Sequence, residues 1–135
     1  KPTDGATVVA PLPLYHIFSL TANCLTFFKA GAVNLLITNP RDTGRFIREI
    51  RDEKFSAMTG VNTLFNTLLH HPEFKNVDFS ELKYTLSGGM ALHQDVANQW
   101  HQVTGLDVIQ VDFASNIAVK NSTRQSNECC EPKKR

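Results

Sequence analysis

The feature that most constrains the fold is a regular alternation of short apolar segments with longer segments of helical periodicity. The short segments end at proline, glycine, asparagine or serine, and they span residues 6–12, 33–38, 55–59, 82–87 and 106–111. Between them, apolar side chains recur three or four positions apart over residues 17–30, 42–53, 62–71 and 96–104. The sequence therefore predicts an α/β fold, a mostly parallel five-stranded sheet with helices on both faces.

Composition argues against several classes of function. With 135 residues, the chain is long enough for one modest domain. Its formal net charge is +1, so the chain has no strong positive electrostatic field to attract nucleic acid. No nucleic-acid partner is therefore expected. The longest apolar stretch, residues 17–30, is too short and too interrupted by polar residues for a membrane span. No signal peptide is recognisable, and a reducing cytoplasm is the expected location.

The cysteines form no pattern of metal ligands. Cys24 lies in an apolar helical segment and is predicted to be a small core residue, while Cys129 and Cys130 are adjacent in a polar segment. No metal site is therefore expected. Beyond Val111 the sequence becomes polar, so residues 1–111 are predicted to form one domain and residues 112–135 a divergent, disordered tail.

Three turns follow predicted strands at their carboxyl ends, where open parallel sheets bind ligands. They contain His16 after the first strand, Gly60 and Val61 after the third, and residues 87–90 after the fourth. Each turn alone also fits a purely structural role, because most histidines and glycines in proteins serve structure.

Together with a strand segment, the three turns resemble the long-chain fatty acyl-CoA synthetases of the adenylate-forming superfamily. The segments that carry the resemblance are PLPLYH (11–16), GAVNLLIT (31–38), TGVNTLF (59–65) and SGGM (87–90), and the likeness covers residues 6–110. The resemblance implies that the chain is an incomplete portion of the large N-terminal, AMP-binding domain. It also implies a ligase that activates a fatty acid with ATP and Mg²⁺ and transfers it to CoA. Such an enzyme works in the cytoplasm, with peripheral attachment to the inner membrane as an alternative.

The resemblance also implies roles for individual residues. His16 would lie beside the reacting carboxylate, at the junction of the acyl pocket and the thioester tunnel. The backbone of Ser87, Gly88, Gly89 and Met90 would line the adenylate site, where two glycines would allow a flat group to approach closely.

The acyl chain would lie in an apolar pocket with Gly60 and Val61 in its wall. Phe18, Thr21 and Leu25, on the helix after His16, would either face the same pocket or belong to the ordinary core.

The sequence departs from the family after residue 110. There the family has a Gly-Tyr-Gly-Leu-Thr-Glu turn that binds phosphate and magnesium, whereas this chain reads VDFAS over residues 111–115. The phosphate loop, the ribose-binding aspartate and the lid lysine are also not found, so the isolated chain is expected to be inactive.

Two alternatives remain: a non-catalytic remnant that associates through exposed sheet edges, and a flavodoxin-like nucleotide-binding module. The module is weaker because no glycine-rich loop follows the first strand.

Overall fold

A computed structural model describes residues 5–111 and the short strand at residues 120–121. The strands form one sheet in the order β2-β1-β3-β4-β5-β6. Their bounds are Thr7–Ala10 (β1), Val33–Leu36 (β2), Ala57–Gly60 (β3), Tyr84–Gly88 (β4), Val108–Val111 (β5) and Lys120–Asn121 (β6). The first five strands are parallel, which confirms the predicted sheet. The sixth strand was not predicted, and it pairs antiparallel with β5. The rest of the predicted disordered tail lies outside the described residues.

The helices follow the predicted alternation. They are α1 (Ile17–Ser19), which leads directly into a π-helix (Leu20–Phe28), then α2 (Thr43–Arg51), α3 (Asn62–Leu69), a 3₁₀ helix (Pro72–Asn76) and α4 (Gln94–Thr104). Within the described residues, no helix has the length and apolar character needed to cross a membrane.

Particular residues mark the ends of the helices. Asp42 caps α2, because its side chain accepts a hydrogen bond from the main-chain N–H of Arg45 at 3.0 Å. Gly105 ends α4 at φ +75°, a conformation that favours glycine. Val61 is the N-cap residue of α3 but makes no side-chain capping hydrogen bond, and the side chain of Asn62 accepts a hydrogen bond from the main-chain N–H of His93 at 2.9 Å.

The main core lies between one face of the sheet and helices α2, α3 and α4. Val9, Met58 and Val108 point from the sheet into this layer. On the helix side, Trp100 contacts the rings of Phe65 and Phe74, with centroids 4.7 and 5.5 Å away. This packing fixes α3 and α4 against the strands whose carboxyl ends carry the predicted site.

The opposite face of the sheet carries the α1–π-helix segment. Adjacent strand residues point to opposite faces, so Val8 and Ala57 lie on this side, with Ala32 and Phe27 packed against them. Helices therefore cover both faces, as predicted. Cys24, predicted to be a core residue, lies half-buried in the π-helix.

Candidate functional site

The predicted site residues converge on the carboxyl edge of the parallel sheet. In the register of β3 and β4, Gly60 lies directly beside Ser87 at the ends of the two strands. The loop that follows β1 ends at His16, which is the N-cap residue of α1. Parallel pairing of β1, β3 and β4 therefore gathers the three turns at one edge.

His16 and Gly89 are neighbours in space although 73 positions separate them in the sequence. A β-carbon built on Gly89 would lie 3.7 Å from Cε1 of the His16 ring. The Nδ1 atom of His16 accepts a hydrogen bond from the main-chain N–H of Phe18 at 3.3 Å. Because Nδ1 is an acceptor, the neutral ring carries its proton on Nε2. The exposed ring can therefore donate one hydrogen bond to a ligand beside the glycine turn.

The two glycines of the turn are constrained in different ways, one by its backbone conformation and the other by the space beside it. Gly89 has φ +81°, so the turn itself requires glycine. A β-carbon on Gly88, by contrast, would lie 2.6 Å from Cδ2 of Phe18. A ligand was expected to approach Gly88 closely. On that side of the glycine, the Phe18 ring fills the space instead.

The residues proposed for the acyl pocket occupy different environments. Phe18 is 1% exposed, and its ring packs against Gly88. Thr21 is half-buried on the π-helix. Leu25 is 60% exposed, so Phe18 and Leu25 do not share one surface.

Gly60 and Val61 also differ. A β-carbon on Gly60 would lie 2.7 Å from Cζ of Phe65, so this ring fills the space beside the glycine. Val61 instead lines a cavity of about 340 Å³ at the carboxyl edge. Of the two, Val61 is the one that borders open space.

Ser87 and Asn23 are fully buried and have polar side-chain atoms with no hydrogen-bond partner among the described residues. Ser87 is fully buried, and its Oγ makes no hydrogen bond to any described residue. Asn23, in the middle of the π-helix, is also fully buried, and neither of its side-chain amide atoms has a partner there. In the sequence, Asn23 is one of several polar residues within an apolar helical segment, and no other feature marks it. Met90, at the end of the glycine turn, is exposed.

Two cavities at the carboxyl edge share Leu12 and Pro40 in their walls. The second has a volume of about 360 Å³ and extends over the β1–α1 loop to Tyr15. The first is also lined by Arg41, which was not among the predicted site residues. The Asn39-Pro40-Arg41 turn after β2 was a signal of the same kind as the three turns that were chosen.

The described residues hold no group of three or more histidine, cysteine, aspartate or glutamate side chains placed to bind a metal ion.

The sequence matches the profile of the AMP-binding enzyme family over residues 1–111. The chain belongs to this family. Among its AMP-binding relatives, a long-chain-fatty-acid–CoA ligase from Haemophilus influenzae is 52% identical over 104 residues. That match covers 77% of this chain and 18% of the ligase, so the chain spans about a fifth of the length of the curated relatives it matches. The resemblance to long-chain fatty acyl-CoA synthetases is thereby confirmed.

Solved structures confirm the fold. The crystal structure of the anthranilate CoA ligase AuaEII in complex with anthranoyl-AMP aligns with a TM-score of 0.74 at 22% identity, covering 82% of this chain and 22% of that chain. The N-terminal domain of FACL13 from Mycobacterium tuberculosis aligns with a TM-score of 0.67 at 18% identity, covering 82% of this chain and 27% of that chain. The chain thus has the fold of part of such an N-terminal domain.

Proposed function

We propose that this chain is part of an ATP-dependent long-chain-fatty-acid–CoA ligase and forms one wall of its acyl-adenylate site. The observation that carries the proposal is the 52% identity with a ligase of that name over 104 residues. In such a ligase the fatty acid carboxylate attacks the α-phosphate of ATP, which gives an acyl-adenylate and pyrophosphate. The thiol of CoA then displaces AMP to form the thioester.

His16 is the residue that we assign to positioning the reacting group. Its Nδ1 is held by the main-chain N–H of Phe18, which fixes the ring, and its Nε2–H is available as a donor. A donor placed beside the Gly89 turn suits an oxygen of the carboxylate or of the acyl-adenylate carbonyl. His16 therefore orients the acyl group rather than removing a proton from it.

The contacts to the other ligands are shared between this chain and the rest of the ligase. Gly89 and Met90 are exposed residues beside which a flat group such as an adenylate fits, and Val61 supplies apolar wall. The family turn that binds phosphate and magnesium is replaced here by VDFAS at residues 111–115, so phosphate and magnesium contacts are assigned to other parts of the ligase. The location that we propose follows from the substrates ATP and CoA: the cytoplasm, with peripheral attachment to the inner membrane as the alternative.

A second candidate function is association without catalysis. Large apolar side chains lie on the surface, including Tyr15 at 91% and Phe28 at 68% exposure. The outer edge of β2 pairs with no other described strand. Both features suit packing against further protein, either the rest of the ligase or a second copy. The flavodoxin-like alternative gains no support, because the loop over residues 11–16 contains no glycine.

The test of His16 uses a full-length relative with substitutions at the matching position. Replacing histidine with alanine is expected to lower kcat about 10- to 100-fold, the effect of losing one hydrogen bond to a charged group. The KM for ATP should change little. Asparagine at the same position is the matched control, because its side chain still caps the helix but cannot replace the ring Nε2–H.

Stopped-flow assays of adenylation and of thioester formation separate the possible roles. We expect alanine and asparagine variants to be equally impaired, with only the alanine variant losing thermal stability. Full activity in the asparagine variant would mean that His16 acts as a helix cap and nothing more.

A further inference from the structure

The loop that joins β4 to α4 carries the exposed part of the glycine turn. Residues 89–91 are exposed and belong to no helix or strand. On one side they follow Gly88, the last residue of β4. On the other side they lead to Leu92, whose half-buried side chain packs against the main core. The position of the exposed residues is therefore set by what holds the loop at Leu92 and His93.

Two main-chain N–H groups at this end of the loop donate to side chains of other elements. The N–H of His93 donates to Oδ1 of Asn62, the first residue of α3, at 2.9 Å. The N–H of Leu92 donates to Oε1 of Gln110, on β5, at 3.4 Å. Asn62 is 7% exposed, and a hydrogen bond is stronger in such surroundings than in water. The loop is thereby tied to the turn after β3 and to the end of β5.

The sequence of α4 explains why an acceptor from outside is needed. His93 is the N-cap residue of α4, and its side chain makes no capping hydrogen bond. In a capping box, a glutamate or glutamine three residues later would accept from the N–H of the N-cap residue, but that position holds Val96. Asn62 supplies the acceptor instead, from a different helix. The conformation of the loop thus depends on α3 as well as on its own sequence.

We propose that Asn62 is a positioning residue for the adenylate site and acts through the main chain of this loop, with Gln110 as a weaker second anchor. The choice of an adenylate as the ligand of the loop rests on the proposed function, whereas the two hydrogen bonds do not. Losing the Asn62 bond releases the α4 end of the loop, so Gly89 and Met90 are no longer held where a flat group needs them. Asn62 therefore affects nucleotide binding, whereas His16 affects the acyl group.

The experiment uses a full-length relative that has asparagine at the position matching Asn62. Asn62→Leu removes the acceptor and should raise the KM for ATP about tenfold, with the dissociation constant of AMP rising equally and kcat changing less than about threefold. Asn62→Asp keeps an acceptor at the N-termini of α3 and α4, where a negative charge is favourable, and should recover both constants to within about threefold. Steady-state kinetics and isothermal titration of AMP provide the readouts.

Ile50→Val is the matched control for a loss of stability. It removes one methyl group from a fully buried residue of α2 and costs about as much stability as one hydrogen bond. Its KM for ATP should be that of the parent. In the 135-residue chain, hydrogen exchange of the His93 amide should be faster in Asn62→Leu than in Ile50→Val or Asn62→Asp, because only the leucine variant lacks the acceptor.

The proposal is overturned if Asn62→Leu and Ile50→Val raise the KM for ATP equally, or if Asn62→Asp is as impaired as Asn62→Leu. Should Asn62→Leu not fold, Gln110→Leu removes the longer bond and should raise that KM about threefold; no rise would equally overturn the proposal. These outcomes presuppose a parent enzyme that forms an acyl-adenylate from palmitate and ATP. Failure of the parent to do so would contradict the proposed function instead, so the two failures are distinguishable.

Discussion

Replacing Gly88 with valine is expected to destabilise the chain by about 3 kcal/mol or more, at the upper end of the cost of overpacking a core. A β-carbon at this position would lie 2.6 to 2.8 Å from three atoms of the Phe18 ring. Phe18 is 1% exposed, so its ring has no open space into which to move. Gly88 is a strand residue and not one of the described glycines with positive φ, so the penalty is steric rather than conformational.

Urea unfolding followed by circular dichroism measures the effect. A second substitution provides the control: Phe18→Leu removes part of the ring and should restore stability to Gly88→Ala, although it is destabilising alone. Such a positive coupling in a double-mutant cycle is expected for two groups in direct contact. If Gly88→Val has the unfolding midpoint of the original chain, the packing assigned to Phe18 is wrong.

The second large effect is expected at Trp100. This side chain is fully buried, and its indole N–H donates to Oγ1 of Thr85 at 3.2 Å. It also contacts Phe65 and Phe74, so it joins α3, α4, the 3₁₀ helix and β4. Trp100→Ala should cost about 3–5 kcal/mol, the usual range for removing a buried aromatic side chain. Because domains are commonly stable by only about 5–15 kcal/mol, this loss should leave a substantial unfolded population.

Two partial changes separate the contributions at Trp100. Trp100→Phe keeps an aromatic ring but loses the hydrogen bond, and Thr85→Val removes the acceptor alone. We expect the alanine variant to be the least stable of the three when urea unfolding is followed by circular dichroism. Equal stability of Trp100→Ala and Trp100→Phe would show that the aromatic packing contributes little.

Much of the fold could be predicted because hydrophobic periodicity records which side chains are buried. The five parallel strands and the helices between them follow the apolar segments, and each strand is one to three residues shorter than the segment that predicted it. The π-helical register of Leu20–Phe28 was not predicted, since apolar spacing does not specify which carbonyl each N–H will contact. Strand β6 was not predicted either, because it pairs through its backbone in a segment without an apolar pattern.

The site was predictable to the extent that topology determines it. Parallel strands bring their carboxyl ends to one edge, so the proximity of His16 and Gly89 follows from the predicted alternation. What occupies the space beside each glycine depends on tertiary packing, and the sequence did not show that Phe18 would fill it at Gly88. Arg41 was missed for a similar reason, because a cavity wall is assembled from separate loops.

The measurement that tests the central claim most directly is a chimera of the Haemophilus influenzae ligase. The 104 residues that match are replaced by the corresponding segment of this chain, and palmitoyl-CoA formation is assayed with ATP, magnesium and CoA. The isolated chain, expected to be inactive, serves as the negative control. We expect the chimera to keep at least about a tenth of the parental kcat/KM, a loss of roughly 1.4 kcal/mol or less. A folded chimera that binds ATP but forms neither acyl-adenylate nor palmitoyl-CoA would contradict the assignment.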